Sequence, residues 1–257
     1  FEGLLAAFRV WVGGEELEGI WLDPHWAMWF LAALALWRLV TPVLRAMPAA
    51  LPVAVVVCLL GGLTTGDVLD VARVMGFLPF FTLGLLARPE HVALLRRPGA
   101  RLTSAGVLLV AAALAPWFSP RVSAEWLYWR ASYAELERGF VEGAAGRLGL
   151  LVLSTVLALC VLSLMPTSAR WFTPLGAASL VVYLCHGFLV KGAEYAGLGD
   201  VLGAWPLDGL LVTSLFGVGV ALALAAPQVA RRLDVLVDPV PHLRNVVPGG
   251  RRSNQEV

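Results

Sequence analysis

Charged residues are scarce in this chain. They make up 14% of its 257 residues, whereas a soluble domain carries about 25%. Lysine occurs only at Lys191, while hydrophobic residues reach 59% and the mean hydropathy is +0.78. So few charged side chains cannot coat a water-soluble surface, and the composition therefore indicates an integral membrane protein in contact with a lipid bilayer. The net charge of +1 provides no electrostatic basis for binding nucleic acid.

Cysteine and the common catalytic motifs are also sparse. The three cysteines lie within apolar runs, without a CxxC partner or the spacing of metal ligands, so we expect small buried side chains and no metal site. The chain has no GxSxG, GxGxxG, phosphate-binding loop or HExxH motif, which excludes the corresponding soluble-enzyme sites. No carboxylate lies deep in an apolar run, and this weighs against a proton-coupled transporter.

Long apolar segments dominate the rest of the chain. Seven are identified by length and flanking residues: 25–41, 49–63, 73–87, 102–118, 148–165, 174–190 and 207–229. They predict an all-α, polytopic transmembrane helix bundle with about seven spans, preceded by the end of another helix in residues 1–12. The bias of arginine between alternate loops predicts an N-terminal end outside and a cytoplasmic C-terminus. Residues 1–237 form the predicted transmembrane domain, and residues 238–257 a disordered cytoplasmic tail.

The longest predicted loop, residues 119–147, is external and mixes aromatic residues with both signs of charge. It is consistent with a helix lying on the membrane surface. It is equally compatible with a lid over an external opening.

One predicted span carries a titratable side chain. His186 lies near the outer end of the 174–190 segment, and Tyr183 and Ser179 precede it at helical spacing on the same face. Such a polar face is directed to protein or water rather than to lipid. Two interpretations remain open: the face binds and activates a substrate, or it holds neighbouring helices together by hydrogen bonds.

Two arginines at segment ends are further candidates. Arg73, at the external end of the third segment, could bind a phosphate or carboxylate, or could pair with the nearby Asp67 or Asp70. Arg38, at the cytoplasmic end of the first segment, could contact a phosphate-bearing donor or simply set the topology.

Four sequence blocks resemble a known family. They are MWFLAALALWRL with Trp29 and Arg38, RVMGFLPFFTLG beginning at Arg73, WLYWRASYAELERGF, and FTPLGAASLVVYLCHGF with His186. Their order is similar to that in membrane acyltransferase family 3, and within it to the fucose 4-O-acetylase-like proteins.

The resemblance implies a multi-pass enzyme of the cell membrane. Such an enzyme moves an acyl group, usually acetyl, from acyl-CoA to a sugar hydroxyl of a cell-surface or exported glycan or a lipid-linked sugar. No cofactor stays bound, and acetyl-CoA or another acyl-CoA is the donor substrate. The catalytic candidates are His186 and Tyr183. The candidate substrate-binding residues are Arg73, Trp29, Arg38 and Ser179.

Members of this family usually begin with a helix that carries a catalytic histidine, and no such region precedes the first block here. We therefore expect an N-terminally truncated chain, in which residues 1–237 are the C-terminal two-thirds of the family domain. His186 then acts as a second, acceptor-side partner with Tyr183. The alternative functions are a transporter or flippase-like protein for lipid-linked or small hydrophobic solutes, and a non-catalytic membrane scaffold.

Overall fold

A computed structural model describes residues 2–15, 29–64, 70–118, 122–166, 168, 173–199 and 206–237. All regular secondary structure in these residues is helical, which confirms the predicted all-α fold. The predicted tail at residues 238–257 lies outside the described residues, as does the start of the first predicted segment at His25.

The helices of the described residues are α1 (Glu2–Gly13), α2 (Trp29–Ala46), α3 (Ala50–Leu60), α4 (Val71–Leu86), α5 (Pro89–Leu95), α6 (Pro98–Phe118), α7 (Ala124–Tyr128), α8 (Phe140–Leu164), α9 (Thr173–Ala177), α10 (Ser179–Tyr195), α11 (Pro206–Ala225) and α12 (Pro227–Val237). The 3-10 turn Gly61–Leu63 continues α3.

Within the described residues, three helices are long and apolar enough to cross a membrane, namely α2, α6 and α8. Two bent pairs raise the number to five if each counts as one span: α4 with α5, bent by 101°, and residues 211–225 with 227–233, bent by 69°. The membrane character of the chain is therefore supported by helix length and composition. A count of seven spans stays a prediction.

The break between α4 and α5 has a local cause. Pro89 is the first residue of α5, where its missing N–H costs no helical hydrogen bond. Proline disfavours the helical conformation in the residue before it, and Arg88 is accordingly extended, with φ −115° and ψ 157°. The chain must therefore turn sharply before the second helix begins.

The predicted loop at residues 119–147 is shorter than expected, because α8 already begins at Phe140. Helix α7 has only five residues, so the part of the loop that is described contains no long surface helix. Trp129 ends α7 in the left-handed conformation, with φ 59°, and turns follow as far as residue 137. The predicted 174–190 helix is likewise divided at Ala178 into α9 and α10, and α10 extends to Tyr195.

The chain forms two compact units. The central unit contains α2 to α8 and the terminal unit contains α1 and α9 to α12. In the central unit, the buried Trp37 of α2 donates from Nε1 to the carbonyl oxygen of Val74 at 3.1 Å and stacks on Phe81, with ring centroids 5.4 Å apart. Cys58, Trp129 and Leu151 form its buried core.

In the terminal unit, α1 packs along α10, the helix that carries His186. Phe8 meets Phe188 edge to face, with ring centroids 5.4 Å apart. Gly13 lies so close to the Tyr195 ring that a Cβ at residue 13 would be 2.3 Å from it. Helix α10 also packs against α11 and α12.

Candidate functional site

The predicted polar face of α10 lines an open cleft of about 520 Å³ in the terminal unit. Ser179, Tyr183 and His186 all contribute to it, so the sequence correctly placed these three side chains together. The other lining residues come from α9, α10 and α11: Leu175, Gly176, Val182, Ala221, Leu222 and Ala225. The three polar groups therefore share one cleft, and the other lining residues that the structure describes are apolar or glycine.

His186 is half-buried and lies within α10 rather than near its outer end, since residues 187 to 195 continue the helix. Its Nδ1 is 2.5 Å from the carbonyl oxygen of Tyr183, a geometry in which Nδ1–H donates. In that tautomer the basic lone pair of the neutral ring is on Nε2. The Tyr183 and His186 rings lie 5.8 Å apart between centroids.

Arg73 lies in the central unit at the start of α4. Its Nη1 is 3.2 Å from Oδ2 of the buried Asp70, and its Nε donates to the carbonyl oxygen of Tyr128 at 3.1 Å. The pairing with Asp70, one of the two interpretations from sequence, is thus present. The guanidinium carbon also lies 5.3 Å from the centroid of the Trp29 ring, so the structure brings these two candidate substrate-binding residues together.

Arg38 does not join Arg73 and Trp29. It is exposed on α2, about 13.5 Å beyond Trp29 along the axis at about 1.5 Å per residue. Its position at that end of α2 remains compatible with both interpretations made from sequence. Ser179 is also exposed, as the first residue of α10.

Sequence reasoning missed Arg147. The predicted external loop at residues 119–147 included it, but it lies in α8 with 3% of its surface exposed. Its guanidinium donates to the carbonyl oxygens of Cys58, Trp129 and Ala131 at 3.2 to 3.3 Å. Its central carbon lies 5.5 Å from the ring centroids of both Trp129 and Tyr133. Within the residues described, these carbonyl dipoles and aromatic faces stabilise the buried charge, and no carboxylate pairs with it.

A signal for this burial exists in the sequence. Small residues surround Arg147 in GAAGRLG, a composition that lets helices and rings approach closely. The Tyr133 ring uses that space, because a Cβ at Gly143 would lie 2.3 Å from it.

Tyr133 fixes the segment between α7 and α8. Its hydroxyl donates to the carbonyl oxygen of Leu59 at 2.7 Å, and its backbone N–H donates to Gly62 at 2.7 Å. Burial raises the pKa of the Tyr133 phenol, although the Arg147 charge opposes the shift. The phenol therefore stays protonated and able to donate.

The model of the acyltransferase domain of family 3 matches residues 3–227, which is most of the chain. The chain belongs to acyltransferase family 3. No curated protein and no solved structure matches it. The family confirms the general activity that the four sequence blocks predicted, and both compact units of the acyltransferase contribute to the matched range.

The two units carry different chemistry in this acyltransferase. The terminal unit offers a histidine with a basic ring nitrogen, a phenol and a hydroxyl on one cleft. The central unit offers a guanidinium beside an indole ring and a buried carboxylate. Among the described residues, no group of three His, Cys, Asp or Glu side chains is arranged to hold a metal ion.

Proposed function

We propose that this acyltransferase moves an acyl group from acyl-CoA to a hydroxyl of a sugar in a cell-surface or exported glycan or a lipid-linked sugar. The fucose 4-O-acetylase-like pattern of its sequence blocks supports this choice of acceptor. The observation that carries the proposal is the position of His186, beside Tyr183 and Ser179 on a cleft of a family 3 chain.

His186 is the proposed general base for the acceptor-side step. Its Nε2 takes the proton from a sugar hydroxyl as the oxygen attacks the thioester carbonyl carbon. The tetrahedral intermediate collapses, the C–S bond breaks, and CoA leaves as a thiolate that receives the proton from the imidazolium. The hydrogen bond from Nδ1–H to the Tyr183 carbonyl supports this role, because it orients the ring and holds its tautomer.

Tyr183 and Ser179 complete the proposed cleft chemistry. The Tyr183 hydroxyl donates to the oxyanion that develops on the thioester carbonyl. Ser179 binds an acceptor hydroxyl at the exposed edge of the cleft.

The central unit supplies the proposed substrate contacts. Arg73 and Trp29 bind the acceptor, with the indole ring packing on the apolar face of a sugar. The exposed Arg38 contacts phosphate groups of the donor. A second group of exposed arginines, around the α5–α6 connection, is suited to the same role: Arg88, Arg96, Arg97 and Arg101.

These roles imply a multi-pass protein of the cell membrane, with about seven spans and a cytoplasmic C-terminus. The donor-binding arginines then lie on the cytoplasmic side, where acyl-CoA is present. A transporter or flippase would need no acyl-CoA, and the family match supports the enzyme over that alternative.

Membranes containing the whole chain test the proposal. Incubation with acetyl-CoA or longer acyl-CoA, radiolabelled in the acyl group, should transfer label to the membrane glycan and lipid-linked sugar fractions and release free CoA. His186→Ala should lower the transfer by at least about 100-fold, the usual size of a general-base contribution. His242→Ala, in the tail, is the matched control and should retain wild-type transfer.

Equal amounts of each variant in the membrane fraction must be verified by immunoblot. Transfer by His186→Ala at the wild-type rate would remove His186 from the site. Failure of the wild-type membranes to consume acyl-CoA would contradict the proposed reaction itself.

A further inference from the structure

We infer that the cleft beside His186 holds the acyl chain of the donor, and that this chain is longer than acetyl. The inference rests on the proposed acyl-CoA reaction and deepens it by naming the class of acyl group. It is carried by the division of the cleft into one polar and one apolar wall, and by its size.

Among the lining residues that the structure describes, the polar groups lie on one side of the cleft. Ser179, Tyr183 and His186 all belong to α10, whereas the described lining residues of α11 are the apolar Ala221, Leu222 and Ala225. A sugar placed against α11 would lose its hydrogen bonds to water without replacement, at a cost in free energy for each buried hydroxyl. A hydrocarbon chain loses nothing there, so the α11 wall is suited to hydrocarbon.

The described lining of the cleft does not match the rest of the donor. Among the lining residues that the structure describes there is no Asp, Glu, Lys or Arg, so these residues do not neutralise the phosphates of CoA. Only the acyl end of the thioester therefore matches the lining. In this orientation the carbonyl lies against the α10 wall, near Tyr183 and His186, and the chain extends along α11.

The volume is larger than acetyl requires. The open cleft has a volume of about 520 Å³, against about 30 Å³ for one water-sized group. An acetyl group has three non-hydrogen atoms. Small residues at Gly176, Ala221 and Ala225 create the space. A larger side chain at one of these positions should therefore shorten the chain that fits.

Chain-length selectivity is the first test. Membranes with the wild-type chain are given acetyl-, butyryl-, hexanoyl- and octanoyl-CoA, and CoA release is measured for each. Each methylene that enters the cleft should strengthen binding by about fourfold, so the KM for butyryl-CoA should be about 15-fold below that for acetyl-CoA. A KM that does not change with chain length would overturn the inference.

Substitutions on α11 test whether this helix determines the preference for longer acyl chains. Ala221→Leu should reduce the preference for butyryl over acetyl by about tenfold or more, because the added carbons fill the cleft. Ala223→Leu is the matched control, since Ala223 is exposed on the same helix and does not line the cleft. Equal preferences in the two variants would contradict the inference.

A binding experiment separates this inference from the proposed reaction. Hexanoyl-CoA with a terminal photoreactive diazirine is crosslinked to the whole chain in membranes, and labelled peptides are identified by mass spectrometry. Label should concentrate on residues 218–226, and excess unmodified hexanoyl-CoA should remove it. Label spread over the helices without competition would show a lipid-facing groove only and overturn the inference.

The proposed reaction and the acyl-chain assignment of the cleft can be contradicted independently of each other. If the wild-type chain releases no CoA but label still reaches α11, the reaction is wrong and the acyl-chain cleft stands. If CoA is released without chain-length selectivity and without label on α11, the reaction stands and the cleft assignment is wrong.

Discussion

Arg147 donates a hydrogen bond from Nη1 to the backbone carbonyl oxygen of Cys58 at 3.2 Å, joining α8 to α3 across 89 residues of sequence. The same guanidinium binds the carbonyl oxygens of Trp129 and Ala131. One side chain therefore connects α3, α8 and the segment after α7. The burial of its charge makes these bonds costly to lose.

Replacement of Arg147 by Met should destabilise the central unit by about 2 to 4 kcal/mol, because three carbonyl oxygens lose a charged donor. Arg147→Lys keeps the charge but cannot reproduce the planar fork, so it should restore only part of the loss. The thermal midpoint in detergent can be followed by the reaction of Cys58, which is fully buried, with a fluorescent thiol reagent. Arg45→Met, at an exposed position of α2, is the control, and equal midpoints for the two Met variants would contradict the prediction.

Two glycines of α8 should respond in opposite directions to alanine. At Gly143 a Cβ would lie 2.3 Å from the Tyr133 ring, so Gly143→Ala should cost about 1 to 3 kcal/mol through overpacking. Gly149 has no neighbouring atom within 4 Å of that position, so Gly149→Ala should stabilise by about 0.5 to 1 kcal/mol. The same thiol-reaction midpoints measure both, and a midpoint for Gly143→Ala at or above that of the wild type would show that Tyr133 does not pack there.

Arg73→Lys separates structural from substrate contacts at the start of α4. A lysine cannot reach both the Asp70 carboxylate and the Tyr128 carbonyl, so stability should fall by about 1 kcal/mol. If Arg73 also binds the acceptor, transfer at low acceptor concentration should fall further while maximal transfer is retained. The control is Arg138→Lys, at an exposed arginine near Glu142. A lower midpoint with an unchanged acceptor KM would limit Arg73 to a structural role.

The stability that the contact between α1 and α10 contributes should depend on pH, because it involves the Glu15 carboxylate. The hydrogen bond from the Tyr195 hydroxyl to Oε1, at 2.5 Å, is the main cause that lowers the pKa of Glu15, and Arg9 and Lys191 act in the same direction. A carboxyl with a lowered pKa in the folded state stabilises it above its unfolded pKa, and this contribution is lost as the pH falls through the folded value. The thermal midpoint of Glu15→Gln should therefore lie furthest below that of the wild type at neutral pH. The difference should disappear below the folded-state pKa of Glu15.

Glu142→Gln serves as the control, because the Glu142 carboxylate is exposed and its contact with Arg138 at 3.8 Å contributes little. A midpoint difference for Glu15→Gln that persists unchanged below the folded pKa would show that the carboxylate charge is not the source of the stability.

The sequence by itself determined the class of this protein. Low charge and long apolar runs required helices in a membrane, because backbone polar groups in lipid must be satisfied within the segment. The order of its blocks predicted the acyltransferase family that the comparison confirmed. The periodicity of 3.6 residues was enough to place Ser179, Tyr183 and His186 on one face, since that grouping depends on a single helix.

Only the tertiary structure decided what lies opposite that face and where the charges are buried. The apolar wall at Ala221 and Ala225 belongs to another helix, and no local pattern in α10 indicates it. The small residues around Arg147 indicate a close approach by other groups. They do not identify its partners at Cys58 and Trp129, because both lie outside α8. Local periodicity reports which residues share a helix face, whereas burial of a charge depends on donors, acceptors and rings that packing brings from elsewhere in the chain.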